Sequence, residues 1–416
     1  MTAFLRMGSA NAYDTALRAI TERQATLANL QENLTAGKRV LRASDDPTAA
    51  AQAERAITRL ERIKTDQRAL ESQRNAIAQA EGTLSDVNDA LQNFRELVVS
   101  AGNASFSARE RQSVAEQLAG YRDQIFALAN RKDTNGLPLF SALGSALAPF
   151  VGPQSLPTDY TFDGQPGQVS SSEVSIPYSL DGDRAFMHLP QRDGVYNVSL
   201  TNVAAPAHEI RSSGVTMTNP SLVSGSSYAI TITGVDTTSV PGTTTVTYDI
   251  AENPNVSGPF SGSASYATTP AANIAVTAIP GLSLSIKGAP AVGDVLTIEP
   301  KVSVFSVLDD AVRDIGNALN TNAAQQAVGQ ALNNIDIGMA QVASVRGQAG
   351  DLLNRAEKIS ANQDKRSIQV ETDRSRAQDL DMIKGVSDFQ NQQTGYQAAL
   401  QSYAQVQKLS LFNFLS

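Results

Sequence analysis

The chain has no cysteine and no tryptophan in 416 residues, and only two histidines. Without cysteine there are no disulfides, no thiol chemistry and no cysteine-bound zinc. Such a chain is indifferent to redox compartment, which suits the cytosol and equally a protein that leaves the cell. His188 and His208 both lie in the middle of the chain, outside any spacing such as HExxH, and read as structural or surface residues. A phosphate-binding loop, a G-x-S-x-G elbow and a Rossmann fingerprint are also missing. No catalytic residue, cofactor or metal is expected. No apolar run reaches the roughly 18 residues of a membrane span, and the opening MTAFLRMGSANAYDTALRAI lacks the apolar core and cleavage site of a secretory signal. A net charge of -8 argues against nucleic acid as the main partner, although a local basic patch stays open.

Proline is unevenly placed, and its distribution divides the chain. Residues 1 to 140 and 303 to 416 are rich in Ala, Gln, Leu, Arg, Glu and Asn and hold only Pro47 and Pro138; the middle is rich in Ser, Thr, Gly, Val and Pro. In the first arm Tyr13, Leu17, Ile20, Leu27 and Leu34 repeat at intervals of three and four, with Gln24 and Gln31 in between, as in a coiled-coil seam. Leu60, Ile63, Leu70, Ile77, Leu84, Val87, Leu91, Phe94 and Val98 then continue in one register. A helix from Thr48 to Ser100 would be about 75 Å long, and its seam residues need a partner surface. Ser107 and Glu110 form a capping box that opens a third helix toward Lys132. In the last arm Leu332, Ile335, Met339, Val342, Ala349, Leu352, Ala356 and Ile359 hold a heptad register, and Leu380, Ile383, Val386, Phe389, Tyr396, Leu400, Tyr403 and Val406 carry a looser stripe.

The middle alternates with period two at Tyr228, Ile230 and Ile232, at Val246, Tyr248 and Ile250, at Ile274, Val276 and Ala278, at Leu282, Leu284 and Ile286, and at Val295 with Thr297. Turn-forming stretches such as ENPNVSGP separate these runs. The expected fold class is α+β: long antiparallel, coiled-coil-like helices from both termini, with an inserted antiparallel β-domain read as a sandwich. The expected divisions are a terminal helix at 1–45, helical halves at 46–140 and 303–372, a β-rich insertion at 141–302 and a second terminal helix at 373–416. The two terminal helices should lie side by side, since neither stripe is buried alone.

Between the first two helices the chain reads LTAGKRVLRASDDPTAAAQA. Gly37 suits the residue after a helix end, where positive φ is common. Asp46 suits an N-cap and Pro47 the first helical position, with the carboxylates of Asp45 and Asp46 favourable against the helix dipole. Two adjacent carboxylates without further oxygen donors make a poor cation site. For Lys38, Arg39 and Arg42 two readings stand, a solvated charged loop or pairing across a subunit boundary.

This joint, with the stripe before it and the long helix after it, resembles the N-terminal signature of the bacterial flagellin superfamily, and VRGQAGDLLNRAE with the final helix resembles its C-terminal signature. Within the superfamily, GKRVLRASDDPTAAAQA, the ending KLSLFNFLS and FDGQPGQVSSSEVSIPYSLDGDRAFM with TNGLPLFS upstream are more similar to the hook-filament junction branch than to filament flagellins. The resemblance implies an extracellular structural subunit, passed through the flagellar type III export channel without a cleaved signal peptide. It implies partners as well: a ring of like subunits, a proximal hook-associated junction protein, flagellin polymerising on the exposed surface, and a cytoplasmic export chaperone on the C-terminal helix. Neither nucleic acid nor membrane insertion is expected. The seam residues Tyr13, Leu17, Ile20, Leu27, Leu34, Leu400, Tyr403, Val406 and Leu409, with Phe412 and Phe414 at the end, are the expected assembly interface, and residues 37 to 47 the inter-helix joint. The alternatives are a filament flagellin or, outside the superfamily, a coiled-coil scaffold or adhesin.

Overall fold

The computed structural model describes residues 9–154, 159–201, 210–254, 259–267 and 273–414, with side chains described between 14 and 405 in those ranges. Three helices open the chain: α1 (Ser9–Ala36), α2 (Pro47–Ala101) and α3 (Ala108–Ala129). The short elements β1 (Phe150–Val151), β2 (Thr161–Phe162), α4 (Gly182–Phe186) and α5 (Pro190–Asp193) follow. The β-rich segment comprises β3 (Tyr196–Thr201), β4 (Arg211–Ser212), β5 (Thr216–Met217), β6 (Ser227–Asp236), β7 (Thr243–Asn253), β8 (Phe260–Ala267), β9 (Asn273–Val276), β10 (Leu282–Lys287) and β11 (Val295–Pro300). Helices α6 (Val304–Gly316), α7 (Thr321–Gln378) and α8 (Met382–Phe414) close the chain. Two compact units result, one of residues Met1–Arg68 with Ser360–Ser416, the other Ala69–Ile359.

In the larger unit α2 and α7 run antiparallel: Arg95 Nε donates to Asp336 at 2.8 Å and Arg346 Nε to Glu81 at 2.7 Å, so the partner's number falls as the chain advances. Ile77, Leu84, Val87, Leu91, Phe94 and Val98 of α2 pack in one core with Ile335, Val342, Ala349, Ala356 and Ile359 of α7, as the two stripes predict. The capping box is present: the Ser107 hydroxyl accepts from the Glu110 N–H at 3.3 Å, and the Glu110 carboxylate accepts from the Ser107 N–H at 2.6 Å. A second box, Ser303 with Ser306, starts α6, which the sequence reading passed over. Its Phe305 is the centre of an aromatic cluster, with ring centroids 5.2 Å from Phe126, 5.5 Å from Phe150, 5.2 Å from Tyr160 and 5.7 Å from Phe186.

The β-rich segment forms a five-stranded antiparallel sheet in the order β3-β11-β6-β7-β8, and a smaller sheet in which β10 pairs with β4, β5 and β9. Inward residues of both sheets, among them Ile230, Tyr248, Ile250, Ile274, Leu284 and Ile298, make one apolar core. That core matches the alternation read from sequence, with three corrections. In β11 the buried residues are Leu296 and Ile298, while Val295 and Thr297 face outward, because the register of pairing to β3 and β6 fixes which set points in. Strand β9 stops at Val276 and leaves Ala278 outside it. Strands β3 and β8 lie outside the alternating runs named from sequence: YNVSLT does alternate, at Tyr196, Val198 and Leu200, whereas the alternation of FSGSASYA is carried largely by small residues, three of them serine.

Side-chain amides on α7 anchor this insertion. Asn322, Gln326, Gln330 and Asn334 recur every four residues and so share one helix face. Asn322 Nδ2 donates to the Ile210 carbonyl at 3.1 Å, Gln330 Nε2 to that of Ser213 at 2.7 Å and Asn334 Nδ2 to that of Tyr196 at 3.0 Å; Gln326 Oε1 accepts from the Ser212 N–H at 2.8 Å. These contacts satisfy backbone groups at the ends of β3 and β4 that would otherwise be buried unpaired.

His188 is buried, with 2% exposure, and its backbone N–H donates to the Val302 carbonyl at 2.7 Å, in keeping with the structural reading. His208 lies outside the described residues. Burial holds the His188 imidazole neutral and pushes its pKa from 6.5 down to about 4, against a weaker pull from Asp193. The unfolded chain therefore takes up this proton before the folded one, and stability falls as pH drops from 6.5 toward 4. Between pH 7 and 4.5 that loss should be about 2 to 3 kcal/mol. Urea unfolding of His188→Gln should show a flatter dependence across this window; a slope equal to the parent's would sink the assignment.

Candidate assembly surface and helix joint

Helix α1 ends on Gly37, whose φ of 66° permits the left-handed turn, and the Lys38 N–H reaches back to the Asn33 carbonyl at 3.2 Å to close the helix end. Asp46 caps α2: its Oδ1 accepts from the Ala49 N–H at 3.0 Å and from Thr48 Oγ1 at 2.7 Å, and its carbonyl accepts from the Ala50 N–H at 2.9 Å. Pro47 takes the first helical position, where its missing N–H costs nothing. The Ala49 N–H, then Thr48 and Arg39, hold the Asp46 carboxyl down at a pKa of about 2. Asp45 Oδ2 instead accepts from the Arg42 and Leu41 N–H groups at 2.8 and 3.1 Å, and the first of these lowers its pKa most.

Two of the three basic side chains, Arg39 and Arg42, are engaged within the chain. Arg39 donates to Asp46 at 3.2 Å and to the Ala377 carbonyl at 2.9 Å, and Arg42 pairs with Glu32 at 2.8 Å. A partner that the sequence reading did not find is the joint between α7 and α8. Lys38 forms an antiparallel bridge with Asp379; the Arg39 N–H donates to the Gln378 carbonyl at 2.8 Å, and the Leu380 N–H to that of Gly37 at 3.0 Å. Asp381 starts α8, its Oδ1 accepting from Ile383 and Lys384 N–H groups at 3.0 and 3.1 Å. The two turns therefore brace each other. An Asp one residue before a helix was the available signal, but nothing local in QDLDM shows that it meets residues 37 to 40.

Helices α1 and α8 pack together in an antiparallel pair, with Gly385 beside Leu34 and Gly395 beside Arg23. Along α1 the half-buried or buried positions are Ala16, Ile20, Arg23, Leu27, Leu30, Asn33 and Leu34, while Leu17, Gln24 and Gln31 are exposed. Of the expected seam, Ile20, Leu27 and Leu34 thus face inward while Leu17, Gln24 and Gln31 face outward, because 3.6 residues per turn lets a stripe of sparse apolar residues be drawn on either side. On α8 the inward row is Gly385, Phe389, Gln392, Tyr396, Ala399 and Tyr403. Met382, Ile383, Val386 and Leu400 point out, at 49%, 87%, 41% and 40% exposure, as does Leu17 at 47%. The side chains of Tyr13, Val406, Leu409, Phe412 and Phe414 lie outside the described residues.

Among the described residues no group of three or more His, Asp or Glu is placed to hold a metal ion, and no helix is long and apolar enough to cross a membrane. What the surface offers is interaction area.

Residues 9–144 match the model of the bacterial flagellin N-terminal helical region, and residues 332–415 that of the C-terminal helical region. The chain is 31% identical over 204 residues to flagellar hook-associated protein 3 of Salmonella typhimurium, an alignment covering 49% of this chain and 60% of that protein. It is 32% identical over 110 residues to flagellin of Bacillus subtilis, covering 26% and 36%. The fold is similar to that of the flagellar junction protein FlgL from Legionella pneumophila, with a TM-score of 0.58 and 23% identity over 74% of this chain and 99% of that one. The two helical-region models together take in more than half of the 416 residues and coincide with the arms that carry the joint and the paired terminal helices, so the chain belongs to the bacterial flagellin family.

Proposed function

We propose that this protein is a structural subunit of the bacterial flagellum at the hook-filament junction. The observation that carries the reading is the extent of the curated match: similarity to hook-associated protein 3 runs over 204 residues, against 110 for the flagellin of Bacillus subtilis at nearly equal identity. Subunits would form a ring on a proximal hook-associated protein and present the surface on which flagellin polymerises. The terminal helices 1–45 and 373–416 would make the subunit contacts, using the outward Leu17, Ile383, Val386 and Leu400. Export through the flagellar type III channel, with a chaperone covering the C-terminal helix, completes the reading and calls for no cofactor or catalysis.

Deletion of the gene from its source bacterium tests this directly. Electron microscopy should show complete hooks without filaments, and monomeric flagellin should accumulate in the medium. Loss of filaments with no flagellin made or secreted would instead make this chain the filament subunit.

A further inference from the structure

A groove of about 520 Å³ lies beside the α1–α2 joint, lined by Arg39, Arg55, Arg59 and Arg376 together with Asp46 and Asp373. Arg39 is engaged by Asp46 and the Ala377 carbonyl, and Asp373 accepts from the Gln369 amide at 3.0 Å. Arg55, Arg59 and Arg376 are exposed, and their side chains make no hydrogen bond or ion pair among the described residues. Arg55 and Arg59 stand one turn apart on α2, where like charges repel. Three unneutralised guanidinium groups around one groove do not stabilise the isolated chain, but they present planar donor forks suited to carboxylates.

The complementary charge is in the same sequence. The unit holding the groove carries 17 Lys and Arg against 14 Asp and Glu, whereas the Ala69–Ile359 unit carries 16 against 27. The net -8 is thus a slightly basic unit joined to a strongly acidic one. On α2 within the acidic unit, Asp86, Asp89, Asn93 and Glu96 recur at three and four residues, opposite the buried row of Val87, Leu91, Phe94 and Val98. Asp86 is paired to Arg131 at 3.3 Å, while Asp89 and Glu96 are exposed without an ion pair among the described residues.

We propose that the arginine groove of one copy receives the Asp89–Glu96 face of a second copy. The inference rests on the self-assembly reading above and names the charged part of that contact. Because groove and acidic row are different surfaces, the contact is heterologous and repeats from subunit to subunit, as a ring requires. Charge pairs of this kind set register and suppress wrong partners more than they add affinity.

The test is sedimentation velocity of the full-length chain over a range of concentrations at low and high salt, with circular dichroism to confirm unchanged helix content. Arg55→Glu with Arg59→Glu, and separately Asp89→Lys with Glu96→Lys, should each move half-association to about tenfold higher concentration, and the four substitutions together should restore it. If both pairs of substitutions associate like the parent, the inference fails while the assembly reading stands. If only the arginine reversals act, the groove binds some other anion and the inference again fails. A parent chain that stays monomeric at every concentration and salt level overturns the inference, while the gene deletion decides the assembly reading by itself.

Discussion

Phe305→Ala should lower the unfolding free energy of the Ala69–Ile359 unit by about 3 to 5 kcal/mol, a large effect for a single side chain. Phe305 has no solvent exposure and its ring meets those of Phe126, Phe150, Tyr160 and Phe186. Truncation removes the apolar area of one ring and leaves a cavity lined by four others, which rigid aromatic neighbours fill poorly. The edge-on geometry with Phe126, at 85°, adds a pairwise term of about 0.5 to 1.5 kcal/mol. The same ring packs α6 against α3, so the loss should appear in cooperative unfolding followed by circular dichroism in urea. A change below about 1.5 kcal/mol would mean that the cluster repacks, and would refute its assignment as the centre of the unit.

Hydrogen exchange should separate the two units even more widely. Among the described side chains of α1 only Ile20 is buried, and on α8 only Gly385, whereas α2 between residues 76 and 101 buries Ala76, Ile77, Ala80, Leu84, Val87, Ala90, Leu91, Phe94, Val98 and Ala101. A two-helix pair with so little buried apolar surface barely offsets the entropy of ordering its backbone. In the dilute monomer, amides of residues 16 to 34 and 386 to 403 should exchange by openings at least about 3 kcal/mol cheaper than those of residues 77 to 98. On assembly the outward Leu17, Ile383, Val386 and Leu400 would gain partners and protection there should rise. Equal protection of α1 and the α2 core in the monomer would remove folding on assembly from the account. Under the proposed function, contact helices that are stable only when joined would keep subunits slow to associate before delivery.

The joint shows how a local signal can be right in every residue and still incomplete. Gly37 at the helix end, Asp46 at the cap and Pro47 at the first position follow from backbone chemistry within a few residues, and each was readable in GKRVLRASDDP. That Arg39 would reach Ala377, and the Gly37 carbonyl accept from Leu380, depends on residues more than 300 positions away. The basic cluster illustrates the same limit. Sequence left it between a solvated loop and a subunit contact, and the structure engages Arg39 and Arg42 internally while leaving Arg55, Arg59 and Arg376 as the cations beside the groove.

The sequence by itself determined the division into helical arms and a β-rich insertion, the length of α2, the capping box at Ser107 and most inward strand positions. Each follows from short-range periodicity or from a hydrogen bond closed within one turn. Only the tertiary structure decided that Leu296 rather than Val295 faces the β-core, that Leu30 rather than Gln31 lines the α1–α8 seam, that amides on α7 hold the sheet edges, and that the two helix joints meet. These rest on strand register, on helix rotation and on contacts distant in sequence, which are fixed by the surfaces available to pack against and not by the neighbours along the chain.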